Sequence, residues 1–482
     1  MAGIGFALRS LSRQETLSAL VKASGHGAVI AAGPWLFTIF SLATISAFAE
    51  EIAGPATLST FRAAIIYAFA TSLVLSAPVT IVATRLVADQ LWTRRTDGIR
   101  SLLIAGFVLA LLVVSPGVAA LVYFFKVPFD LACALYATTA IVTMIWVVLA
   151  FCGAIRDYKG ITLSFVAGLV VAVASAIAAA FAGLDASGMV WGFALGLVLT
   201  FFGLTLRVLQ TFAQGSGGSL SALGPLLTGM KTYADLGAGA LFATAGVWVD
   251  KWVFWFSPEG QSVEGGLIHA PLYDSAMFIA SLVIIPALAQ FVVRLETEFF
   301  DRYQHYYGTI QSHGTIDQIE TARVRLEGFS LENLVLITVS QLSLAAVLVL
   351  AAPAIVEVLN LHFRQIAILR YGALGSVFLF VFIATTSMIV FFDRRRLYAL
   401  LQFLFFALNL GLTALSVHWG EDYYGAGYFA ASFIASAVAL VVADQTFSRL
   451  NYLTFIGNNP SVSGPKRQRF WRRRQPAHST ST

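Results

Sequence analysis

Apolar runs of about twenty residues, the length a spanning helix needs, recur along this chain between short polar connections. Twelve runs qualify: residues 26–48, 61–83, 102–124, 129–151, 161–182, 187–209, 234–256, 272–294, 333–357, 371–391, 397–417 and 426–447. The pattern predicts an all-α polytopic membrane protein. Gly and Pro fall inside several runs. A bilayer tolerates this only where neighbouring helices or a water-filled cavity satisfy the freed backbone groups.

Charge sets the orientation. With the N-terminus placed in the cytoplasm, only Arg62, Lys126, Lys251, Arg364 and Arg370, of 30 Lys and Arg, fall outside or near the outer helix ends. Basic residues are retained on the cytoplasmic side, so both termini are expected there and the number of spans should be even. Composition agrees: hydrophobic residues are 58% and charged residues 11%, which excludes a soluble domain. The net charge of +5 comes from loop arginines and implies no nucleic acid. Cys133 and Cys152 stand alone, with neither a disulfide framework nor zinc spacing. No G-x-x-x-x-G-K-[S/T] loop occurs and the histidines are scattered, so no cofactor, metal or catalytic activity is expected.

The organisation reads as two halves. Residues 1–25 form a cytoplasmic amphipathic segment, with Phe6, Leu8, Leu11 and Leu17 against Arg9, Arg13 and Lys22, and lack the pattern of a cleavable signal. Residues 26–213 make a first six-helix lobe, the Gly/Ser-rich stretch 214–225 a linker, and 226–456 a second lobe. Residues 457–482 make a basic, disordered tail suited to anionic lipid headgroups. A weak repeat supports the division. Tyr67, Pro78, Arg85 and Asp89 in the second run are matched by Tyr273, Pro286, Arg294 and Glu298 in the eighth, each ending in an Arg–acid pair at i,i+4. Repeated halves with interrupted helices in matching places predict a transporter whose path runs between them.

Few residues offer chemistry. Gly33, Pro34 and Trp35 mark a kink in the first run: a hinge with Trp35 on the path, or a packing kink. Pro78 and Pro286 add flexibility. In the seventh run Trp248, Lys251, Trp252 and Trp255 share one helical stripe while Asp250 points elsewhere. That stripe is either an interfacial belt with a snorkelling lysine or a sugar-stacking surface at the outer mouth. On the second reading, alanine at Lys251 or Trp252 cuts transport and leaves protein levels unchanged. Tyr273 and Asp274 open the next run, where Asp274 caps the helix or pairs with Lys251. Arg294, Glu296, Glu298, Asp301 and Arg302 carry that run into the cytoplasm. With Arg85 and Asp89 they form solvated helix ends or dock a partner.

Several stretches together resemble the Pel exopolysaccharide export (PelG) family, of the polysaccharide-transporter branch of the multidrug/oligosaccharidyl-lipid/polysaccharide flippase superfamily. They are Gly3–Phe6 with Leu8 and Arg9, Gly33–Trp35, Asp250–Trp255, Tyr273 and Asp274 with Ala276–Phe278, Ile284–Ala287, and Leu295–Thr297 followed by Phe299, Tyr306 and Tyr307. The chain departs from the family pattern at Ala7, where an acid is expected, and at Ala31 and Ala32, where serines are. The resemblance implies a MATE-like, two-lobed protein of the bacterial inner membrane. It would move a polymer rich in N-acetylgalactosamine and galactosamine to the periplasm for biofilm matrix. It also implies work alongside a cytoplasmic glycosyltransferase, a cyclic-di-GMP receptor and a tetratricopeptide scaffold membrane protein. Deacetylation after export would let the polymer cross uncharged.

Other functions compete. A cation-coupled drug antiporter needs a carboxylate deep in a half-bundle, and Asp250, Asp274, Glu357 and Asp444 all lie near run ends. A flippase for lipid-linked oligosaccharide is a second alternative. A membrane glycosyltransferase needs a larger outer loop than this chain offers. A passive assembly scaffold is not excluded by any residue.

Overall fold

The computed structural model describes residues 17–94, 96–155, 157–212 and 220–457; the side chains of 17–32, 34–36, 158, 296 and 297 are outside that description. The amphipathic segment at 1–16, most of the linker, Pro34, Trp35, the Glu296 side chain and the basic tail therefore lie outside the described residues.

The chain is helical almost throughout. The elements are α1 (Leu17–Trp92), α2 (Ile99–Phe125), α3 (Phe129–Cys152), α4 (Tyr158–Phe181), α5 (Ala186–Thr211), α6 (Leu223–Thr232) and α7 (Ala234–Trp255). A two-stranded hairpin follows, β1 (Gln261–Ser262) and β2 (Ile268–His269). Then come α8 (Pro271–Ser281), α9 (Ile284–Arg294), a π-turn at Leu295–Phe299, α10 (Phe300–Gln311), α11 (Ile316–Val358), α12 (Gln365–Phe391), α13 (Arg395–Trp419) and α14 (Ala426–Ser448).

Ten helices among the described residues are long and apolar enough to cross a membrane, against twelve predicted runs. Two features account for the difference. The 56 residues Phe37–Trp92 make one continuous element, yet at ~1.5 Å per residue they would extend about 84 Å, far beyond a hydrocarbon core of ~30 Å. Gly54, at φ 77° and followed by Pro55, breaks regular helical geometry between the two predicted runs. The second feature is α7, which is not among the ten; it carries Asp235, Asp250 and Lys251.

The eighth run divides where its sequence demands. Pro286 has no N–H to offer the Leu282 carbonyl. The helix breaks between Ser281 and Ile284, and the Ile285 N–H takes that carbonyl instead at 3.2 Å. Pro78, by contrast, sits inside unbroken α1, and Gly33 packs so close to the Phe165 ring that an added Cβ would lie 3.1 Å away. Gly33 thus serves close packing in this arrangement.

Helices α1–α5 pack on one another, with α4 against α5 and α1 against α3 and α4. A second group joins α7 to α13, α12 to α8 and α14, and α11 to α12. The groups meet where α1 crosses α7 and α9. At one end the hairpin bridges them. Its tip glycine, Gly266, has φ 80°, and a Cβ there would stand 2.4 Å from the Phe125 carbonyl oxygen of α2. Beside the tip, Leu267 is fully buried.

Gly266→Ala should therefore lower the thermal midpoint of the purified protein, through both backbone strain and collision. Gly308→Ala, in exposed α10 with nothing within 4 Å of the new Cβ, should raise it slightly. Size-exclusion after a heating series reads both; equal behaviour of the two variants would contradict the hairpin packing.

Candidate functional site

Between the two helix groups lies a cavity of about 430 Å³. Thr38 and Phe69 of α1 and Trp146 of α3 form one side. The other side comes from Trp248, Lys251 and Trp255 of α7, Asp274 and Phe278 of α8, Thr386 of α12, Gln402 of α13 and Tyr428 of α14. Its wall is mainly aromatic and aliphatic, dotted with hydroxyls. Lys251 and Asp274 are the only charged side chains on it among the described residues.

Asp250 stands just behind the wall. Its side chain is completely buried, and the Lys251 ammonium lies 3.1 Å from one of its oxygens and 3.2 Å from the other. The Tyr273 hydroxyl donates a third bond to the carboxylate, 2.9 Å long. Lys251 also donates to the Val247 carbonyl at 3.2 Å. A buried carboxylate is sustained only by such complete pairing. The Tyr273 ring is held in turn by a face-to-face stack on Phe254, centroids 3.7 Å apart.

Asp274 caps and anchors at once. One carboxylate oxygen accepts the Ala270 N–H just before α8, 3.0 Å away, and the Trp255 indole N–H, 2.8 Å away. An acid reaching back to a free N–H at a helix start is favoured by charge and by the need to satisfy that donor. Its other oxygen has no partner among the described residues. Trp255 stacks on Tyr67 of α1 at 4.6 Å, and the Tyr67 hydroxyl donates to the Ile268 carbonyl in the hairpin at 2.8 Å. One chain of contacts thus links α1, α7, α8 and β2. In the same hairpin, burial and the nearby Arg62 guanidinium hold His269 below its usual pKa, so it stays neutral at neutral pH.

Toward the arginine-rich end a second cluster joins the groups. Asp89 of α1 is 3.5 Å from Arg85 and accepts the Tyr233 hydroxyl at 3.3 Å. The Tyr233 ring has the Arg85 guanidinium 5.9 Å from its centroid and that of Arg395 5.0 Å away. Arg395 also reaches Asp393 at 3.2 Å and Asp235 at 3.7 Å.

The structure brings together most of the residues singled out in the sequence. Trp248, Lys251, Trp255 and Asp274 share the cavity wall, with Asp250 and Tyr273 directly behind. Three expectations change and one pair of alternatives is resolved. Trp252 is off the wall: it sits about 100° around the helix from Lys251 and packs into the core. Of the two roles offered for Asp274 it takes the helix cap, and Lys251 pairs instead with its neighbour Asp250. Arg85 and Asp89 hold Tyr233, so they are not simply a solvated helix end. Arg294 donates to Asn333 of α11 in place of an i,i+4 bond to Glu298, because the π-turn at Leu295–Phe299 shifts the helical register. Glu298 does pair with Arg302, at 3.7 Å. Sequence reasoning missed Trp146, Gln402 and Tyr428 on the wall, since no pattern within a uniformly apolar run reveals which face meets a cavity.

This geometry alters what Lys251→Ala should do. It strands Asp250 without its counter-ion, which costs about 3–5 kcal/mol, so the level of folded protein should fall. Pairing Asp250→Asn with Lys251→Gln should restore the level. Fluorescence-detected size-exclusion of the membrane extract checks this, and a normal level for Lys251→Ala would contradict the buried pair.

Comparison with known proteins places this architecture. The chain superposes on an outward-facing multidrug resistance MATE family transporter of the MOP superfamily with a TM-score of 0.58, at 16% identity, over 88% of this chain and 96% of that one. An inward-facing MATE transporter gives 0.56 at 14% identity, over 86% and 96%, and MATE in the bent conformation 0.56 at 16%, over 93% and 99%. These likenesses show a shared fold. Among curated proteins, "Aquaporin TIP4-1" of Arabidopsis thaliana is 31% identical over 104 residues, 19% of this chain and 38% of that protein. The match thus spans well under half of the aquaporin. The family model PelG, described as "Putative exopolysaccharide Exporter (EPS-E)", matches residues 1–455. With the transporter fold, the central cavity and a match over nearly its whole length, the chain belongs to the PelG family of exopolysaccharide exporters.

Proposed function

We propose that the protein exports a Pel-type polysaccharide, rich in N-acetylgalactosamine and galactosamine, from cytoplasm to periplasm across the bacterial inner membrane. Both termini face the cytoplasm, by the distribution of basic loops. The path runs between the two helix groups. One observation carries the reading: the cavity between them is walled by aromatic rings and hydroxyls, and its one lysine is neutralised by Asp250. An uncharged sugar chain needs apolar faces for its C–H surfaces and scattered acceptors for its hydroxyls; it does not need a charged cage. The partners are a cytoplasmic glycosyltransferase, a cyclic-di-GMP receptor and a tetratricopeptide scaffold membrane protein. Rocking of one helix group against the other would break and remake the Tyr67–Trp255 and Asp89–Tyr233 contacts that span the divide.

One observation favours cation-coupled small-molecule antiport as a second reading. Asp274 lines the cavity, and one of its carboxyl oxygens lacks a partner among the described residues. Such an antiporter would lose coupling with Asp274→Asn and would have no effect on polymer.

The test measures amino-sugar polymer outside the cell with an N-acetylgalactosamine-binding lectin, in a strain lacking the protein and in the complemented strain. Export predicts that external polymer disappears and that complementation restores it. Unchanged external polymer in the deletion strain would remove the Pel reading and put antiport first.

A further inference from the structure

We propose that Trp146 and Trp248 form a sugar-stacking subsite, one indole from each helix group, that takes the C–H faces of pyranose rings of the passing chain. The proposal rests on the polysaccharide reading above and goes beyond it by naming the contact residues and the sugar face they take.

Both indoles line the same cavity, Trp146 from α3 and Trp248 from α7. Both are half-buried. The third indole on the wall, Trp255, is already engaged: it stacks on Tyr67. Neither Trp146 nor Trp248 has a ring partner among the described residues, so each keeps a face for a ligand. Large apolar rings left unstacked inside a cavity are the groups that bind.

Trp146 is held by its edge, and Trp248 has a cation over one face. The Trp146 indole N–H donates to the Ser72 hydroxyl at 3.3 Å; Ser72 is fully buried and donates in turn to the Phe69 carbonyl at 3.0 Å. The plane of Trp146 is thereby fixed by α1. Trp248 has the Lys251 ammonium 5.9 Å from its centroid, and Asp250 fixes that ammonium. Two platforms set in advance lose little freedom on binding.

The polar groups nearby suit a neutral polyol. Thr244 donates its hydroxyl proton to the Ala240 carbonyl at 3.0 Å, and Ser281 donates to Phe278 at 2.7 Å. Both therefore present acceptor lone pairs to the cavity wall. Sugar hydroxyls supply the matching protons. A galacto-configured ring fits best: its axial hydroxyl leaves the opposite face with adjacent C–H groups at C3, C4 and C5, an apolar patch that lies flat on an indole. The selectivity expected is therefore galacto over gluco.

The test uses the full chain, purified in nanodiscs, titrated with an N-acetylgalactosamine oligosaccharide and followed by calorimetry. Trp146→Ala and Trp248→Ala should each weaken binding roughly tenfold. Trp146→Phe and Trp248→Phe should stay within about threefold of wild type because a ring face survives. Trp92→Ala, altering a residue 81% exposed, controls for general tryptophan loss and should bind as wild type. An N-acetylglucosamine oligomer should bind more weakly than its galacto counterpart. The proposal is overturned if well-folded alanine variants bind like wild type, if wild type binds no oligomer, or if the gluco oligomer binds as tightly. These failures differ from failure of the export reading, which would show as unchanged external polymer in the deletion strain.

Discussion

The buried carboxylate of Asp250 is the constraint around which the cavity is organised. It is sealed from solvent, and an unpaired charge in that position would be prohibitively costly. Lys251 neutralises it from within α7 and Tyr273 meets it from α8, so the Tyr273 hydrogen bond ties the rotation of α7 to α8. That rotation decides which tryptophans see the cavity. The charged pair thus shapes the path from behind, and its members contribute specificity to the packing more than net stability.

Contacts at the two ends of the cavity complete this arrangement. Asp274 ties Trp255 to the start of α8, Trp255 stacks on Tyr67, and Tyr67 holds the hairpin whose Gly266 tip meets α2. At the arginine-rich end, Asp89 and two guanidinium groups enclose Tyr233. Each cluster joins both helix groups through few bonds, several of them half-exposed. Interfaces of this kind are strong enough to define a state and weak enough to be exchanged for another. The break between α8 and α9 and the π-turn after α9 lie on the same strip of chain, where a helix can bend without losing an apolar contact.

Much of this was legible in the sequence because a bilayer imposes a simple rule on backbone polar groups. Run after run of apolar residues had to be helical, and the structure agrees across the described residues. The break in the eighth run was written in Pro286, whereas Gly54, between the first two runs, went unread. Rotation was not legible. In a uniformly apolar helix nothing local tells the lipid face from the cavity face, so Trp252 was placed on the wall and Trp146 was passed over. Nor was register: the Arg294–Glu298 spacing promised a bond that one π-turn removes. Asp250 was read as pointing away from the stripe. It does, and that is why it can hold the stripe in position.

The fold shared with MATE transporters does not settle what crosses, since one fold serves many cargos. The wall does more. A polymer must be held well enough to enter and loosely enough to slide by one residue at a time, which calls for several weak sites in series over one tight one. Charged cages bind too firmly for this and strand their ions when empty. Aromatic faces and hydroxyls whose protons are committed to their own helix carbonyls cost little unoccupied, and they exchange one sugar for the next at nearly equal energy. Pairing Lys251 with Asp250 and turning one Asp274 oxygen to the Ala270 and Trp255 N–H groups both lower the charge the wall presents.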